Sequence, residues 1–116
     1  MQKNPIQVRF FQTATGHQPV REWLRSLPRE QRQAIGEVVN DVQLGWPIGM
    51  PLVRKLEQSL WEIRVNIPPN EIARVIFSIA ETPQAIVLLH GFIKKSQKTP
   101  KHELETARNR LKSGQP

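Results

Sequence analysis

Residues 60–67 read LWEIRVNI, residues 72–79 read IARVIFSI, and together these two segments decide the fold. In both, apolar residues occupy every second position, as from Trp61 to Ile67 in the first segment. A period of two is typical of a β-strand that buries one face. The turn signal PPN at 68–70 separates the segments, so they predict two antiparallel neighbours in a sheet.

Further segments extend this pattern along the chain. Residues 85–93, AIVLLHGFI, are almost continuously apolar, which predicts a central strand. Residues 6–12 predict a first strand, and residues 52–57 either extend the sheet or precede it. Strands that follow one another through short turns form an antiparallel meander. The predicted class is therefore α+β with a small antiparallel sheet.

Helices are predicted before and after this meander. Pro19 suits the first turn of a helix, where its missing N–H costs nothing, and Pro28 ends that helix and begins another that runs to Gly45. These two helices form an N-terminal hairpin that covers one face of the sheet. Thr99-Pro100 is predicted to cap and open a short C-terminal helix. The apolar stripes are Val20, Trp23, Leu24, Leu27, Ile35, Val38, Val39 and Val42 in the hairpin and Leu104, Ala107 and Leu111 in the last helix.

The composition is that of one basic domain, residues 1–116. The chain has 17 Lys and Arg residues against 10 Asp and Glu, a formal net charge of +7, which indicates a polyanionic partner. It has no cysteine, hence no disulfide framework. It also has no apolar run of the roughly 18 residues that a membrane span needs. We expect a cytoplasmic protein.

Much of the charge follows the last predicted strand, where residues 90–100 read HGFIKKSQKTP. Residues 94–112 contain seven basic and two acidic residues, which accounts for +5 of the net charge. A merely solvated basic helix is one explanation. Lysines that follow a strand's end, beside other cations, favour a polyanion-binding surface.

The predicted sheet also gathers cations on one face. The hairpin is expected to pack on the face of Trp61, Val75 and Leu89. The opposite face then carries Arg64, Arg74, His90 and Lys94. Arginine offers phosphate a planar fork, and lysine offers a compact charge. RNA cleavage without a metal needs such charges, and it needs groups that take a proton from the 2′-hydroxyl and protonate the leaving 5′-oxygen.

Each of these residues also has a structural interpretation. Arg74 can pair with Glu62 across the sheet, and Arg64 with a neighbouring glutamate. A lone histidine in an apolar strand, such as His90, is more often packed and hydrogen-bonded than catalytic. The sequence leaves these alternatives open. Other chemistry is poorly supported, because three scattered histidines without cysteine give no metal site, and no glycine-rich phosphate loop or GxSxG turn is present.

Five segments of the chain resemble a known family. They are LWEIR (60–64), ARVIF (73–77), LLHGFIKK (88–95), KTP (98–100) and the pattern E…A.NRL from Glu103 to Leu111. With them the chain resembles, over nearly its whole length, the phage-derived Gp49-like or HigB-like branch of the RelE/ParE toxin superfamily. The resemblance implies a RelE-like fold and a toxin of a type II toxin–antitoxin pair. Its partner would be a helix-turn-helix antitoxin encoded by an adjacent gene.

The resemblance also implies an activity and a site. RelE-like and HigB-like toxins enter the ribosomal A site and cut mRNA there by attack of the 2′-hydroxyl on the adjacent phosphate, without a metal or cofactor. By position, Arg64 and Arg74 match basic residues of the family's sheet, and Lys94 or Lys95 matches the basic residue where the last strand ends. With His90, these are the predicted catalytic residues of an endoribonuclease.

The chain departs from the family pattern at the group for proton transfer. RelE-like toxins place a tyrosine near the C-terminus, and this chain has no tyrosine. HigB-like relatives use histidine, so His90 is the first candidate for proton transfer and His102 the second. The predicted RNA-binding residues are Lys55, Phe92, Lys98, Lys101 and His102.

Two alternative functions stay open. A ParE-like toxin would inhibit DNA gyrase by binding, without nuclease activity, and would not require the cluster of Arg64, Arg74 and Lys95. The other alternative is a basic RNA-binding domain that has lost catalysis.

Overall fold

The computed structural model describes residues 6–47, 52–94 and 98–114. Within these residues, five strands and three helices form a small α+β architecture. The strands are β1 (Gln7–Phe10), β2 (Val53–Glu57), β3 (Leu60–Ile67), β4 (Glu71–Glu81) and β5 (Gln84–Lys94), and the helices are α1 (Pro19–Ser26), α2 (Arg29–Gly45) and α3 (Lys101–Ser113). The helical hairpin follows β1 rather than opening the chain. In the part of the chain that the structure describes, no helix is both long and apolar enough to cross a membrane.

The sheet is mixed. Strands β2 to β5 form the predicted antiparallel meander, and β1 pairs with β5 in parallel, which gives the order β1-β5-β4-β3-β2. The prediction of an entirely antiparallel sheet is therefore wrong. The physical reason is that β5 is apolar on both faces and is buried best with a neighbour on each side. Strand β1 supplies the second neighbour, with Gln7 opposite Ala85.

Prolines begin the two helices of the hairpin, as predicted. Pro19 is the first residue of α1 and Pro28 directly precedes α2, so neither interrupts a hydrogen bond within a helix. Both helices pack their apolar stripes on one face of the sheet, which we call the hairpin face. Its buried core consists of Val20, Ile35, Val42, Ile63, Val65, Ile67, Ala73, Val75, Phe77, Ile86 and Leu88.

Helix α3 covers part of the opposite face, which we call the α3 face. The smaller core beneath it consists of Phe11, Leu60, Ile76, Leu89, Phe92 and Ala107. The N-cap of α3 is Pro100 and makes no side-chain cap, so the predicted cap at Thr99 is wrong. The Thr99 hydroxyl instead donates to the Glu62 carboxylate, whose buried charge is the stronger acceptor.

A β-bulge in β5 changes which of its side chains share a face. Ile76 lies opposite His90 and Phe77 opposite Leu88, so Leu89 is an extra residue in β5. The extra residue shifts the alternation by one position. As a result Leu89 packs in the α3-face core, and its predicted place on the hairpin face is wrong.

Substitutions at Gly91 test how closely α1 packs on the sheet. A Cβ at Gly91 would collide with the Trp23 ring, whereas a Cβ at Gly36 in α2 would meet nothing within 4 Å. We expect Gly91→Ala to lower the free energy of unfolding by about 1–3 kcal/mol through overpacking. Gly36→Ala should raise it by about 0.5–1 kcal/mol because alanine favours the helix. Urea denaturation measures both changes, and a Gly91→Ala protein as stable as the wild type would contradict the packing described.

Candidate functional site

The register of the sheet brings polar side chains together on the α3 face. Strands β2 to β5 place them in three adjacent rows, because residues directly opposite one another share a face. The rows are Arg54, Glu62, Ile76 and His90; then Arg64, Arg74 and Phe92; then Asn66, Ile72 and Lys94. With strands about 5 Å apart, the charged groups of these rows lie within reach of one another.

Glu62 lies at the centre of this group. Its side chain has 0% exposure, and its Oε1 accepts from Arg74 of β4 and, at 3.2 Å, from Arg54 Nη2 of β2. Its Oε2 accepts from Thr99 Oγ1 at 2.6 Å. The ion pair of Arg74 with Glu62, one of the alternatives left open by the sequence, is thus present and is joined by two further donors.

Arg74 keeps one donor unpaired. Its side chain is 8% exposed, and its Nη1 donates to Glu62 Oε1. Its Nε is buried and has no hydrogen-bond partner among the described residues. A buried N–H without an acceptor costs about 1–3 kcal/mol. An anionic oxygen from a ligand would satisfy it with a charge-assisted hydrogen bond.

Arg54, Arg64, Arg74 and Lys94 together form what we call the cationic cluster. Arg64 lies directly opposite Arg74 and is exposed. Burial lowers the pKa of the Lys94 ammonium, and the positive charge of Arg74 lowers it further, while Glu62 acts in the opposite direction. Four cations around one carboxylate leave an excess of positive charge, which suits the cluster to phosphate.

His90 is held between β5 and α3 through both ring nitrogens. Because a guanidinium only donates, the contact of Arg110 Nη1 with Nδ1 at 3.2 Å makes Nδ1 the acceptor. Nε2 therefore carries the proton and donates to Glu103 Oε1 at 2.7 Å. The ring stacks on Phe92, and burial lowers the pKa of His90. This placement matches the packed histidine that the sequence left open as the alternative to a catalyst.

The predicted RNA-binding residues are spread over both faces. Lys55 lies on the hairpin face, opposite Trp61, with its Nζ 5.4 Å from the centroid of that ring. Phe92 is buried on the α3 face. Lys95 was predicted to be catalytic and lies outside the described residues. Three other residues are exposed around the start of α3, namely Lys98, Lys101 and His102.

Arg54 and Thr99 are absent from the site residues predicted from the sequence, and Glu62 is predicted only as a partner for Arg74. The signal for Glu62 was its position two residues before Arg64, which places both on one face of a strand. Arg54 is not predicted, because the sequence does not decide whether residues 52–57 extend the sheet or precede it. Thr99 is predicted to be a helix cap instead, because a threonine before proline commonly has that role.

A cavity of about 520 Å³ lies away from the cationic cluster, beside the C-terminal part of α3 and the end of β1. Its walls include Arg9, Phe11, Ser78 and Arg110 but no member of the cluster. The cluster therefore lies outside this cavity, on the α3 face of the sheet. Within residues 6–47, 52–94 and 98–114, no three His, Asp or Glu side chains converge to hold a metal ion.

The fold is that of a small α+β protein with a cluster of cations on one face of its sheet. A family model described as Phage derived protein Gp49-like (DUF891) matches residues 22–112, and the chain belongs to this family. It is a RelE/HigB-like toxin family associated with endoribonucleases, so membership indicates a toxin of a toxin–antitoxin system. A search of curated proteins found no match.

The burial of His90 predicts a stability that depends on pH. Its pKa in the folded protein lies below the unfolded value of about 6.5, so the unfolded chain binds more protons and stability falls as the pH drops below that value. We expect the free energy of unfolding to decrease from about pH 7 to about pH 5. Glutamine does not titrate, so the free energy of unfolding of His90→Gln should fall less over this pH range than that of the wild type. Urea denaturation at several pH values measures both proteins.

His17→Gln is the matched control for this experiment, because that side chain is 69% exposed. This variant should show the same fall in stability on acidification as the wild type. If His90→Gln also shows it, the burial of His90 does not control acid stability.

Proposed function

We propose that the protein is the toxin of a type II toxin–antitoxin system and acts as a ribosome-dependent mRNA endonuclease. The observation that carries this proposal is the buried guanidinium of Arg74, which adjoins Arg64 and Lys94 and whose Nε–H has no acceptor among the described residues. Membership in the Gp49-like family supports a toxin. The excess of positive charge on the α3 face supports an RNA substrate.

The proposed reaction uses the cluster to stabilise charge on phosphorus. The 2′-oxygen of one nucleotide attacks the adjacent phosphorus, and the bond from phosphorus to the 5′-oxygen breaks. The products are a 2′,3′-cyclic phosphate and a 5′-hydroxyl. Arg64 and Arg74 donate to the non-bridging oxygens as negative charge builds there, and this scheme needs no metal or cofactor.

Lys94 is the group that we assign to protonation of the leaving 5′-oxygen. Burial and Arg74 lower its pKa, so its ammonium is a stronger acid than that of an exposed lysine. His90 is not assigned to proton transfer, because both ring nitrogens are bonded to side chains of α3. His102, exposed at the start of α3, is assigned to accept the proton of the 2′-hydroxyl.

The proposal includes two partners and a location. The ribosomal A site presents mRNA to the cationic cluster, and the exposed Lys98 and Lys101 contact RNA phosphates near the start of α3. A helix-turn-helix antitoxin encoded by an adjacent gene neutralises the toxin. Action on ribosomes places the protein in the cytoplasm. Lys55 and Phe92 are left out of the RNA contacts because of their positions.

Arg64 offers the sharpest test of nuclease activity, because it is exposed and its removal leaves no buried charge. After brief expression in bacteria, the wild type should create new mRNA 5′ ends confined to translated frames. Arg64→Ala should reduce their frequency roughly 100-fold through loss of a phosphate contact in the transition state. Transcriptome-wide mapping of 5′ ends measures both. Arg74→Ala is less suitable because breaking a buried ion pair costs about 3–5 kcal/mol of stability.

Arg32→Ala is the matched control, since Arg32 is an exposed arginine of α2. It should cut as the wild type does. Growth arrest and a DNA damage response without such cuts would contradict the nuclease and favour a ParE-like inhibitor of gyrase. Ribosome binding with neither cuts nor DNA damage would favour a basic RNA-binding domain.

The role assigned to Lys94 predicts the shape of the pH–rate profile. As the pH rises through its lowered pKa, the ammonium deprotonates and cleavage slows, so the alkaline limb lies below the ordinary pKa of lysine. Lys94→Arg keeps the charge but does not release its proton, so it should be roughly 10- to 100-fold slower and lack this limb. Single-turnover cleavage of mRNA on purified ribosomes tests both. An identical alkaline limb in Lys94→Arg would assign the acid to another group.

A further inference from the structure

The Glu62 carboxylate connects four parts of the chain at one point. It belongs to β3, and it accepts from Arg54 of β2, from Arg74 of β4 and from Thr99, which lies between β5 and α3. Oε1 takes both arginines and Oε2 takes the threonine hydroxyl. The side chain is fully buried, with 0% exposure.

These contacts leave Glu62 no direct part in the reaction. Both oxygens are occupied by protein donors, and a fully buried carboxylate does not reach a ligand on the surface. What Glu62 determines is the orientation of its donors. The hydrogen bond at Arg74 Nη1 fixes one end of a planar guanidinium, and this sets where the unpaired Nε–H lies.

The same carboxylate also fixes the start of α3. Thr99 directly follows Lys98 and lies two residues before Lys101, the first residue of α3. Its bond of 2.6 Å to Glu62 Oε2 therefore holds these lysines beside the cluster. Arg54, on the edge strand β2, donates to Glu62 Oε1 at 3.2 Å.

We infer that Glu62 is the positioning residue of the site: its carboxylate aligns Arg74 and the start of α3 for an RNA phosphate without touching that phosphate. The inference rests on the proposed nuclease activity for its kinetic consequence. Its structural consequence, a fixed Arg74 guanidinium, is independent of any activity. The two consequences are measured separately.

Glu62→Gln is the variant that tests the inference, because glutamine keeps the size of the side chain and loses the charge. Its amide offers one acceptor oxygen in place of two and places a donor NH₂ against other donors. Hydrogen exchange of the Arg74 Nε–H, followed by NMR of protein labelled with ¹⁵N-arginine, should become at least about tenfold faster than in the wild type. Glu37→Gln, the same change at an exposed position of α2, should leave this exchange unaltered.

Cleavage on programmed ribosomes provides the second measurement. We expect kcat of Glu62→Gln to fall roughly 10- to 100-fold, because a misplaced guanidinium stabilises the transition state poorly. KM should change less than kcat, by about threefold at most, because Lys98 and Lys101 keep their charges even where the start of α3 is held less firmly. In an Arg74→Lys background, Glu62→Gln should cause little additional loss, because a residue that acts through Arg74 has no separate contribution there.

Thr99→Val provides a milder variant in case Glu62→Gln does not fold. It removes only the bond to Oε2 and should lower kcat by roughly 3- to 10-fold, with Thr15→Val, at an exposed threonine after β1, as the matched control. Folded Glu62→Gln or Thr99→Val proteins with wild-type kcat would overturn the inference, as would full additivity with Arg74→Lys. A wild-type protein that does not cleave refutes the nuclease proposal instead, and the exchange of the Arg74 Nε–H then decides the positioning role.

Discussion

The buried charge of Glu62 is the constraint around which the α3 face is arranged. A carboxylate without access to water carries a desolvation cost of several kcal/mol, which is offset only when its oxygens are well paired. Here the compensation comes from β2, β4 and the segment before α3, through Arg54, Arg74 and Thr99. Each of these elements therefore lies where its donor reaches the Glu62 carboxylate of β3. Glu62 thereby links β2, β3, β4 and the segment before α3 on this face.

The two faces of the sheet are stabilised by different means. The hairpin face is closed by an apolar core that runs from Val20 and Ile35 in the helices to Val75 and Phe77 in the sheet. The α3 face has a smaller core, and polar contacts add to it. Arg108 bonds both oxygens of Glu57, and Arg110 donates to the Leu89 carbonyl and to His90. Because part of these contacts is exposed, we expect α3 to open more readily than the hairpin.

How far the sequence predicts this structure depends on whether the signal is local. The bounds of β3 and the proline-initiated helices were predicted from alternation and from the backbone limits of proline, both of which act within a few residues. The parallel pairing of β1 with β5 joins residues such as Gln7 and Ala85, and no local pattern reports it. The bulge at Leu89 lies in an almost continuously apolar run, where the sequence shows no alternation that an extra residue could interrupt. For the site, the sequence placed Arg64, Arg74 and Lys94 on one face, but Arg54 and Thr99 join them only through Glu62.

Within residues 6–47, 52–94 and 98–114, the buried Nε–H of Arg74 has no acceptor, and this does not favour stability. A buried donor without an acceptor is unfavourable by about 1–3 kcal/mol, so such groups persist mainly where a ligand or a strained site requires them. The position of Arg64 opposite Arg74 is also unfavourable for stability, because like charges directly across a sheet destabilise it. Glu62 accepts from Arg54 and Arg74, but its single negative charge leaves the cluster positive. Replacing a buried ion pair, such as that of Arg74 and Glu62, by apolar residues of similar volume is often neutral or stabilising. In the proposed function, the phosphate of a bound RNA supplies the compensating negative charge.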